Sequence, residues 1–344
     1  MNKIKPIAIY LPQFHPIAEN NAWWGKGFTE WTNVTKAKPL FEGHYQPHFP
    51  ADLGYYDLRL EEARMAQEAL AKQFGIEGFC YYHYWFNGKR ILFEPLDRKM
   101  KNPKEDLPFM MCWANENWTR TWDGAEKNVL LHQEYGFEDD VAHIQHLIPY
   151  FKDERYIKVN GKPVFIVYKP HLFKNATETA ATWRKVAAEH GLELYLCHTV
   201  FSYSEGWDTL IEGFDAAIDF EPFGIRRDSV FSEIARVKNS QVSNSIFHKA
   251  IKKAKRKLGV GNKNNKPMLN KIEYGFMTKN IKPLNSFSFK LFPNLVPGWD
   301  NTARRKNNPA LILDHATPEL FEEWLAHIVN DFEPYSEDEN FVFI

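Results

Sequence analysis

Short apolar runs recur along the chain and alternate with longer segments of helical periodicity. The run at residues 109–113 follows Pro108 without a polar interruption, which is the pattern of a strand buried on both faces. Segment 57–75 repeats its apolar residues at helical spacing and ends on Gly75, and further helices are predicted at 138–150, 177–190 and 318–329. The predicted strands are residues 7–11, 78–82, 109–113, 163–168, 194–197, 216–220, 295–299 and 341–344.

The alternation of strands and helices predicts an α/β fold, and the number of strands favours a (β/α)8 TIM-type barrel. The chain ends within the predicted eighth strand. A doubly wound sheet shows the same alternation, so the strand count separates the two folds. No glycine-rich phosphate loop follows the first strand, where residues 12–16 read PQFHP. This argues against a dinucleotide-binding half.

We expect residues 1–344 to form a single domain with a basic surface insertion at about 226–292. Between Lys249 and Lys290 the sequence has one acidic residue, Glu273, and a cluster of basic residues at 252–257. Two interpretations stay open. The segment is a solvated surface insertion, or it contacts an anionic membrane or a lipid-linked phosphate.

Charge and cysteine content exclude several classes of protein. The formal net charge is −1, so no nucleic-acid partner is expected. Cys80, Cys112 and Cys197 lie in apolar runs without metal-ligand spacing, which indicates buried, reduced thiols and no metal site. The N-terminus has no signal-peptide pattern, and no apolar run reaches the length of a membrane span. We expect a cytoplasmic protein, peripheral to the inner membrane face if the basic segment binds lipid.

Aromatic residues make up 15% of the chain, and many of its 11 tryptophans lie in polar loops. The long loop at residues 13–56 and the exits of strands two and three are the richest in them. Flat aromatic faces stack on pyranose rings, while amides and carboxylates bind sugar hydroxyls. The pattern therefore predicts a carbohydrate site at the strand exits. Its aromatic and polar members at those exits are His83, Tyr84, Trp85, Trp113, Asn115, Trp118, Trp122, His198 and Asp300.

Glycosidic chemistry needs a proton donor and usually a second carboxylate. Glu116 and Glu221 follow predicted strands and are the candidate catalytic residues, and Glu30 lies in the first long loop. Alternatively, Glu116 and Glu221 orient substrate hydroxyls or pair with Arg120 and Arg226. Without a nucleophile elbow or a phosphate loop, no cofactor is expected.

Six segments resemble the WbsX family: IAIYLPQFHP at residues 7–16, WGKGFTEW at 24–31, QPH at 46–48, DLGYYD at 52–57, GFCYYHYWFNGK at 78–89 and WANENW at 113–118. That family is commonly labelled glycosyltransferase, from its place in O-antigen and other surface-polysaccharide gene sets. It is also similar to family 99 glycoside hydrolases, which are endo-α-mannosidases and mannanases with a (β/α)8 barrel. Their retaining reaction is thought to pass through a 1,2-anhydro sugar.

The resemblance implies a set of substrate-binding residues, and the sequence departs from the family's pattern at one place. The first motif holds Tyr10 and Gln13. The remaining members of the implied surround are Trp24, Glu30, Trp31, Tyr82, His83, Tyr84, Trp85, Asn115, Glu116, Trp118, Glu221 and Trp299. In the relatives a catalytic glutamate pair follows a strand like 341–344 in a Trp-Asn-Glu-Trp-x-Glu segment, which has no position in this sequence. We therefore expect the intact enzyme to be longer.

Three functions follow from the resemblance. The first is glycoside-hydrolase-like action on a bacterial surface polysaccharide of the O-antigen or lipopolysaccharide type, or on its lipid-linked precursor. The second is glycosyl transfer in polysaccharide biosynthesis. The third is a catalytically inactive barrel that binds glycan, because the family's glutamate pair is absent.

Overall fold

A ring of parallel strands forms the centre of the protein. The computed structural model describes residues 4–120, 125–200, 210–224, 227–243, 269–279, 287–305 and 310–344. The ring strands are β1 (Lys5–Tyr10), β2 (Gly78–Phe86), β3 (Phe109–Trp113), β4 (Lys162–Val167), β5 (Tyr195–Val200), β6 (Ala216–Asp219), β7 (Leu291–Phe292) and β8 (Phe341–Phe343).

The strands follow one another round a nearly closed barrel. Their hydrogen-bonded order is β7-β6-β5-β4-β3-β2-β1-β8, and every neighbouring pair is parallel. Asn294, just after β7, bridges to Phe343 in β8, and the Phe343 N–H donates to the Pro293 carbonyl at 2.9 Å. These contacts bring the two ends of the sheet together, and the predicted α/β barrel is confirmed.

Helices cover the outside of the barrel and its loops. Local signals set their ends: the Asn175 side chain accepts from the Glu178 N–H, and the Thr317 hydroxyl accepts from the Leu320 N–H. The helices are α1 (Ala18–Trp24), α2 (Glu30–Val34), α3 (Glu61–Gln73), α4 (Glu94–Lys101), α5 (Phe137–Phe151), α6 (Ala176–Glu189), α7 (Arg227–Ser243), α8 (Tyr274–Lys279) and α9 (Pro318–Asp331).

Smaller sheets and short paired strands adjoin the barrel. The strand Lys89–Ile91 extends β2 as a hairpin, Lys158–Val159 pairs with β4, and Trp118–Arg120 pairs with Ala125–Leu131. A three-stranded sheet, here the side sheet, has the order Leu269–Glu273, Ala310–Asp314, Trp299–Asp300.

The strand register decides which side chains face the barrel interior. His83, Trp113, Val167 and His198 are register partners in successive strands, so their side chains share one face of the sheet. The Trp113 ring lies 4.5 Å from that of His143 in α5, which identifies this face as the outer, helix-covered one. Residues one position away, such as Tyr82, therefore face the interior.

Two sequence predictions on the fold need correction. The predicted seventh strand at 295–299 is wrong, because β7 is Leu291–Phe292 and ends at Pro293, while Trp299 joins the side sheet. The long loop 13–56 contains α1 and α2. All three cysteines are free and buried, as predicted.

The basic insertion at 226–292 remains a prediction. Residues 244–268 and 280–286 of it lie outside the described residues, and with them most of the segment from Lys249 to Lys290. Within the range, β7 belongs to the barrel, and Ile272, Tyr274 and Met277 are buried in the core. In the part of the chain that the structure describes, no helix is long and apolar enough to cross a membrane.

Candidate functional site

Aromatic side chains line the inside of the barrel at the carboxyl ends of its strands, a region we call the mouth. Tyr82 and Tyr84 of β2 face inward. The Tyr82 ring meets that of Tyr168, after β4, edge to face at 5.7 Å, and Tyr168 meets Phe220, after β6, at 5.1 Å. The Gln13 amide donates to the Tyr84 hydroxyl at 2.8 Å and so links the end of β1 to β2. The mouth thus offers apolar ring faces beside polar atoms.

An ion pair joins the ends of β3 and β4. The ammonium of Lys169 contacts a carboxylate oxygen of Glu116. The fully buried Asn115 fixes this arrangement, since its Oδ1 accepts from the Lys169 N–H at 2.6 Å and its Nδ2 donates to the Lys169 carbonyl at 2.8 Å. Asn115 therefore positions the pair, and its own side-chain amide is occupied by hydrogen bonds to the backbone.

Glu30 brings a second carboxyl group to the mouth. It begins α2 and is 5% exposed, and its Oε1 has no hydrogen-bond partner among the described residues. Burial raises the pKa of Glu30, and the guanidinium charge of Arg304 opposes that shift. Burial also raises the pKa of Tyr84, and the charges of Glu30 and Glu116 raise it further. The charges of both carboxyl groups therefore act on Tyr84.

Trp118 stands beside these groups on the hairpin that follows β3. Its ring lies 5.3 Å from that of Tyr84 and 6.3 Å from that of Trp23 in α1. The indole nitrogen is buried without a hydrogen-bond partner in the described part of the protein. Trp122, predicted for the same site, lies outside the described residues.

Glu221 follows β6 and is 1% exposed. Its backbone N–H donates to the Asn294 Oδ1 at 2.8 Å, and the Asn294 Nδ2 donates to the Phe343 carbonyl at 3.2 Å. The Asn294 side-chain amide thus links the Glu221 backbone to β8. Arg226, the alternative partner of Glu221, lies outside the described residues. The side chain of Arg120, the alternative partner of Glu116, also lies outside them.

The remaining loop candidates support the wall of the mouth. The Trp31 indole donates to the Tyr56 carbonyl at 2.9 Å, and the Trp24 ring lies 5.9 Å from that of Phe28. The Trp299 ring packs edge to face on Phe223 at 5.6 Å. Trp31 in particular uses its polar atom to hold the loop together.

Asp300 is an anchor for the first long loop. It accepts from His44 Nε2 at 2.9 Å, from Gln46 Nε2 at 2.7 Å, and from the N–H and hydroxyl of Thr302. Burial acts to raise the pKa of Asp300, but these hydrogen bonds outweigh it and lower the pKa. Its carboxylate is occupied by protein groups.

Three predicted site residues point to the helix layer and not to the mouth. His83 Nε2 shares a hydrogen bond of 2.9 Å with His143 Nε2, and burial holds the pKa of His83 well below its ordinary value. The Trp85 indole donates to Asp139 of α5 at 2.8 Å. The fully buried Trp113 donates to the Trp85 carbonyl at 3.2 Å.

Tyr10 and His198 are displaced from the mouth in the same way. The Tyr10 hydroxyl donates to Gln67 of α3 at 2.6 Å. The His198 Nε2 accepts from the Ile211 N–H at 3.4 Å, and burial lowers the pKa of His198 to about 4. These five positions are corrections to the predicted site. Each residue stands near a strand end, but alternation along the strand turns it outward.

The sequence reasoning missed four side chains at the mouth: Trp23, Tyr168, Lys169 and Arg304. Tyr168 and Lys169 directly follow β4, so the rule applied to the other strand exits would have found them. Trp23 lies in α1 and Arg304 follows the side-sheet strand Trp299–Asp300, and the approach of both segments to the mouth depends on tertiary packing.

One group of described residues has the geometry of a metal site. Ligand atoms of Glu273, Asp314 and His315 lie within 4.8 Å of one another on the side sheet. Glu273 and His315 are exposed, and the ammonium of Lys271 is already bound to Asp314. A cation there would have to displace that lysine.

Comparisons with known proteins agree on the family and the fold. A family model described as glycosyltransferase WbsX matches residues 6–344. Two proteins from Xanthomonas campestris pv. campestris, both named WxcX, are 39% and 38% identical over 327 residues. The alignment covers 94% of this chain and 42% of each relative, so the chain spans less than half the length of these curated relatives.

Solved structures show the same barrel. A glycoside hydrolase-like protein matches the whole chain and 83% of its own length, with a TM-score of 0.56 and 12% identity. A family 99 endo-α-mannosidase from Bacteroides thetaiotaomicron also matches the whole chain and 83% of its own, with a TM-score of 0.50 and 13% identity. At these identities the likeness establishes the fold alone.

Proposed function

The chain belongs to the WbsX glycosyltransferase family, and on this premise we propose that it binds a glycan at the barrel mouth and acts on its glycosidic bonds. One observation carries the proposal: the Glu116–Lys169 pair follows β3 and β4 at the mouth, where the Tyr84 and Trp118 rings lie 5.3 Å apart and the charges of Glu30 and Glu116 both act on Tyr84. Ring faces with adjacent carboxyl groups are what binding and cleaving a pyranoside require.

We assign the reacting carboxylates to Glu116 and Glu221. Both follow barrel strands at the carboxyl end, where (β/α)8 enzymes hold their catalytic groups. The Lys169 ammonium contacts the Glu116 carboxylate, so a cation and a carboxylate lie together at the ends of β3 and β4. Gln13, Tyr82, Trp118 and Glu30 would then hold the sugar.

Hydrolase-like chemistry is the first candidate, because the chain shares its barrel with a family 99 endo-α-mannosidase. Transfer to a growing glycan is the second, and the description of the family favours it. We further propose a bacterial surface polysaccharide of the O-antigen or lipopolysaccharide type, or its lipid-linked precursor, as the substrate. The expected location is cytoplasmic, with the basic segment against the inner membrane face.

The test compares Glu116→Gln and Glu221→Gln in the full-length protein, with Glu94→Gln as the control. Glu94 is a partly exposed glutamate that pairs with Arg98 within α4 and is assigned no part in binding or catalysis. Substrates are α-mannan and the surface polysaccharide of the host, with release of reducing ends as the readout for hydrolysis. Consumption of sugar nucleotides with an acceptor glycan reports transfer.

We expect each mouth variant to lose about 100-fold or more of the wild-type rate in one of the two assays, while the control keeps it. Full activity in both variants would remove these residues from the chemistry. If the protein binds glycan but shows neither reaction, it is a glycan-binding barrel and the proposed enzymatic activity is refuted.

A further inference from the structure

The segment 44–49, here the rim segment, alternates between buried and exposed side chains. His44 and Gln46 are 7% and 8% exposed, whereas Tyr45 and Phe49 are 65% and 64% exposed. Two large aromatic rings so open to water are costly unless something covers them in use. The alternation shows that the backbone presents these rings outward.

The rim segment is fixed in this conformation by the side sheet. His44 and Gln46 both donate to Asp300, at 2.9 and 2.7 Å. The Phe41 ring stacks on His44 at 4.6 Å and 8°, and the Lys271 ammonium lies 4.6 Å from the centre of the Phe41 ring. Because the segment is anchored on its inner side, Tyr45 and Phe49 are held in place before any ligand arrives. Such pre-organisation lowers the entropy cost of binding.

The rim segment is continuous with the mouth. Asp300, its anchor, directly follows Trp299, whose ring packs on Phe223 at 5.6 Å. Phe223 in turn lies two residues after Glu221. A ring contact and two short stretches of sequence therefore link the anchor of the rim segment to a proposed reacting carboxylate.

We propose that Tyr45 and Phe49 form an outer carbohydrate subsite, which binds sugar units of a chain whose reacting bond lies at the mouth. This inference rests on the proposed function and narrows its substrate to a polymer. Each ring offers a flat apolar face to the C–H face of a pyranose. The Tyr45 ring is steadied by an edge-to-face contact with His48 at 4.8 Å.

The composition around the rim segment favours a glycan over a membrane. Residues 39–58 contain no lysine or arginine, whereas Glu42, Asp52 and Asp57 make the stretch acidic. Lys38 and Arg59 flank it, and the Lys271 ammonium contacts Phe41, so the basic groups near the stretch are few and not part of the rim segment. A surface that binds anionic lipid pairs its aromatic residues with basic ones. Stacking on a neutral sugar needs no such charge.

The experiment measures binding as a function of glycan length. The probes are α-mannooligosaccharides from the trimer to the octamer, together with the host's surface polysaccharide, titrated by calorimetry into wild type, Tyr45→Ala, Phe49→Ala and the double variant. Phe74→Ala is the matched control, because Phe74 is a 72% exposed aromatic residue at the end of α3. We expect the double variant to lose about tenfold in affinity for the longest chains and to bind the trimer like wild type.

The outcomes separate this inference from the proposed function. If the double variant binds long chains as tightly as wild type, the outer subsite is refuted while glycan binding at the mouth stands. Equal losses at all lengths also refute it, because they place the effect at the mouth. If wild type binds no glycan and the double variant instead loses sedimentation with phosphatidylglycerol vesicles, the rings face a membrane and both proposals fail.

Discussion

The two ends of the barrel both bury charged side chains, but they treat them differently. At the base, before β3, Lys99 donates to Glu68 at 2.6 Å and to the Glu105 carbonyl at 2.7 Å. Arg64 holds the Glu105 carboxylate with two bonds of 2.7 and 2.9 Å. At the mouth, the buried Glu30 leaves Oε1 without a hydrogen bond within the described ranges.

This difference separates structural charge from functional charge. A buried ion with several partners is held by the fold. Removing one partner leaves the remaining charges buried without compensation. A buried carboxyl with an unused oxygen costs stability, which a protein tolerates where the group serves a ligand. The base network is therefore expected to govern folding, and the mouth is expected to govern binding.

The largest effect should follow from breaking the base network. Lys99→Met leaves the Glu68 carboxylate buried, with the hydrogen bond from the Leu107 N–H at 3.0 Å still in place. We expect a loss of about 3–5 kcal/mol in the free energy of unfolding, measured by urea denaturation. The matched control is Lys72→Met, which breaks an ion pair to Asp106 with side chains 44% and 64% exposed. That change should cost no more than about 1 kcal/mol, and similar losses in both variants would contradict the distinction.

A smaller effect, on binding and not on folding, is expected at the mouth. Trp118→Ala removes the ring beside Tyr84, and we expect oligosaccharide binding to weaken by roughly 1–3 kcal/mol, by analogy with stacking losses at other flat ligands. Trp118→Phe keeps an aromatic face and should retain most of the affinity. Unchanged affinity of the alanine variant in calorimetry would take Trp118 out of the site.

The sequence was sufficient to predict the barrel and the strand ends that form its mouth. Runs such as Phe109–Trp113 are apolar throughout because both faces of the strand are buried, so they identify a parallel sheet. The same property hides which residues point inward, since no polar alternation marks the two faces. His83 and Trp85 were placed in the site for this reason, although Tyr82 and Tyr84 are the inward pair.

The base network shows the other limit of sequence reasoning. Lys99 lies in α4 between charged residues and resembles any lysine on a solvated helix, yet it is completely buried. Its partners come from α3 and from the loop before β3, so only the packing of three elements reveals the network. Likewise, Trp299 reads as part of a strand but joins the side sheet through pairing with Leu313.

The smallest effect, and the sharpest test of the comparison, is expected for Glu30→Gln. The change keeps the shape of the side chain and removes a carboxyl group that the fold does not satisfy. We expect the free energy of unfolding at neutral pH to stay within about 1 kcal/mol of wild type or to rise. Glycan affinity should fall, because the carboxyl group lies among the mouth residues. A loss of stability as large as that of Lys99→Met would make Glu30 a structural charge like those at the base.

The pH dependence of stability should show the same contrast. Because burial raises the pKa of Glu30, the folded protein keeps a proton that the unfolded chain has already lost between the ordinary glutamate pKa and the raised one. Wild type therefore loses stability as the pH rises through that window. Glu30→Gln has no such group, so its advantage over wild type should grow with pH across the window and then stay constant. Urea denaturation of both proteins from pH 4 to 8 measures this difference, and parallel stability curves would mean that the pKa of Glu30 is the same in the folded and unfolded protein.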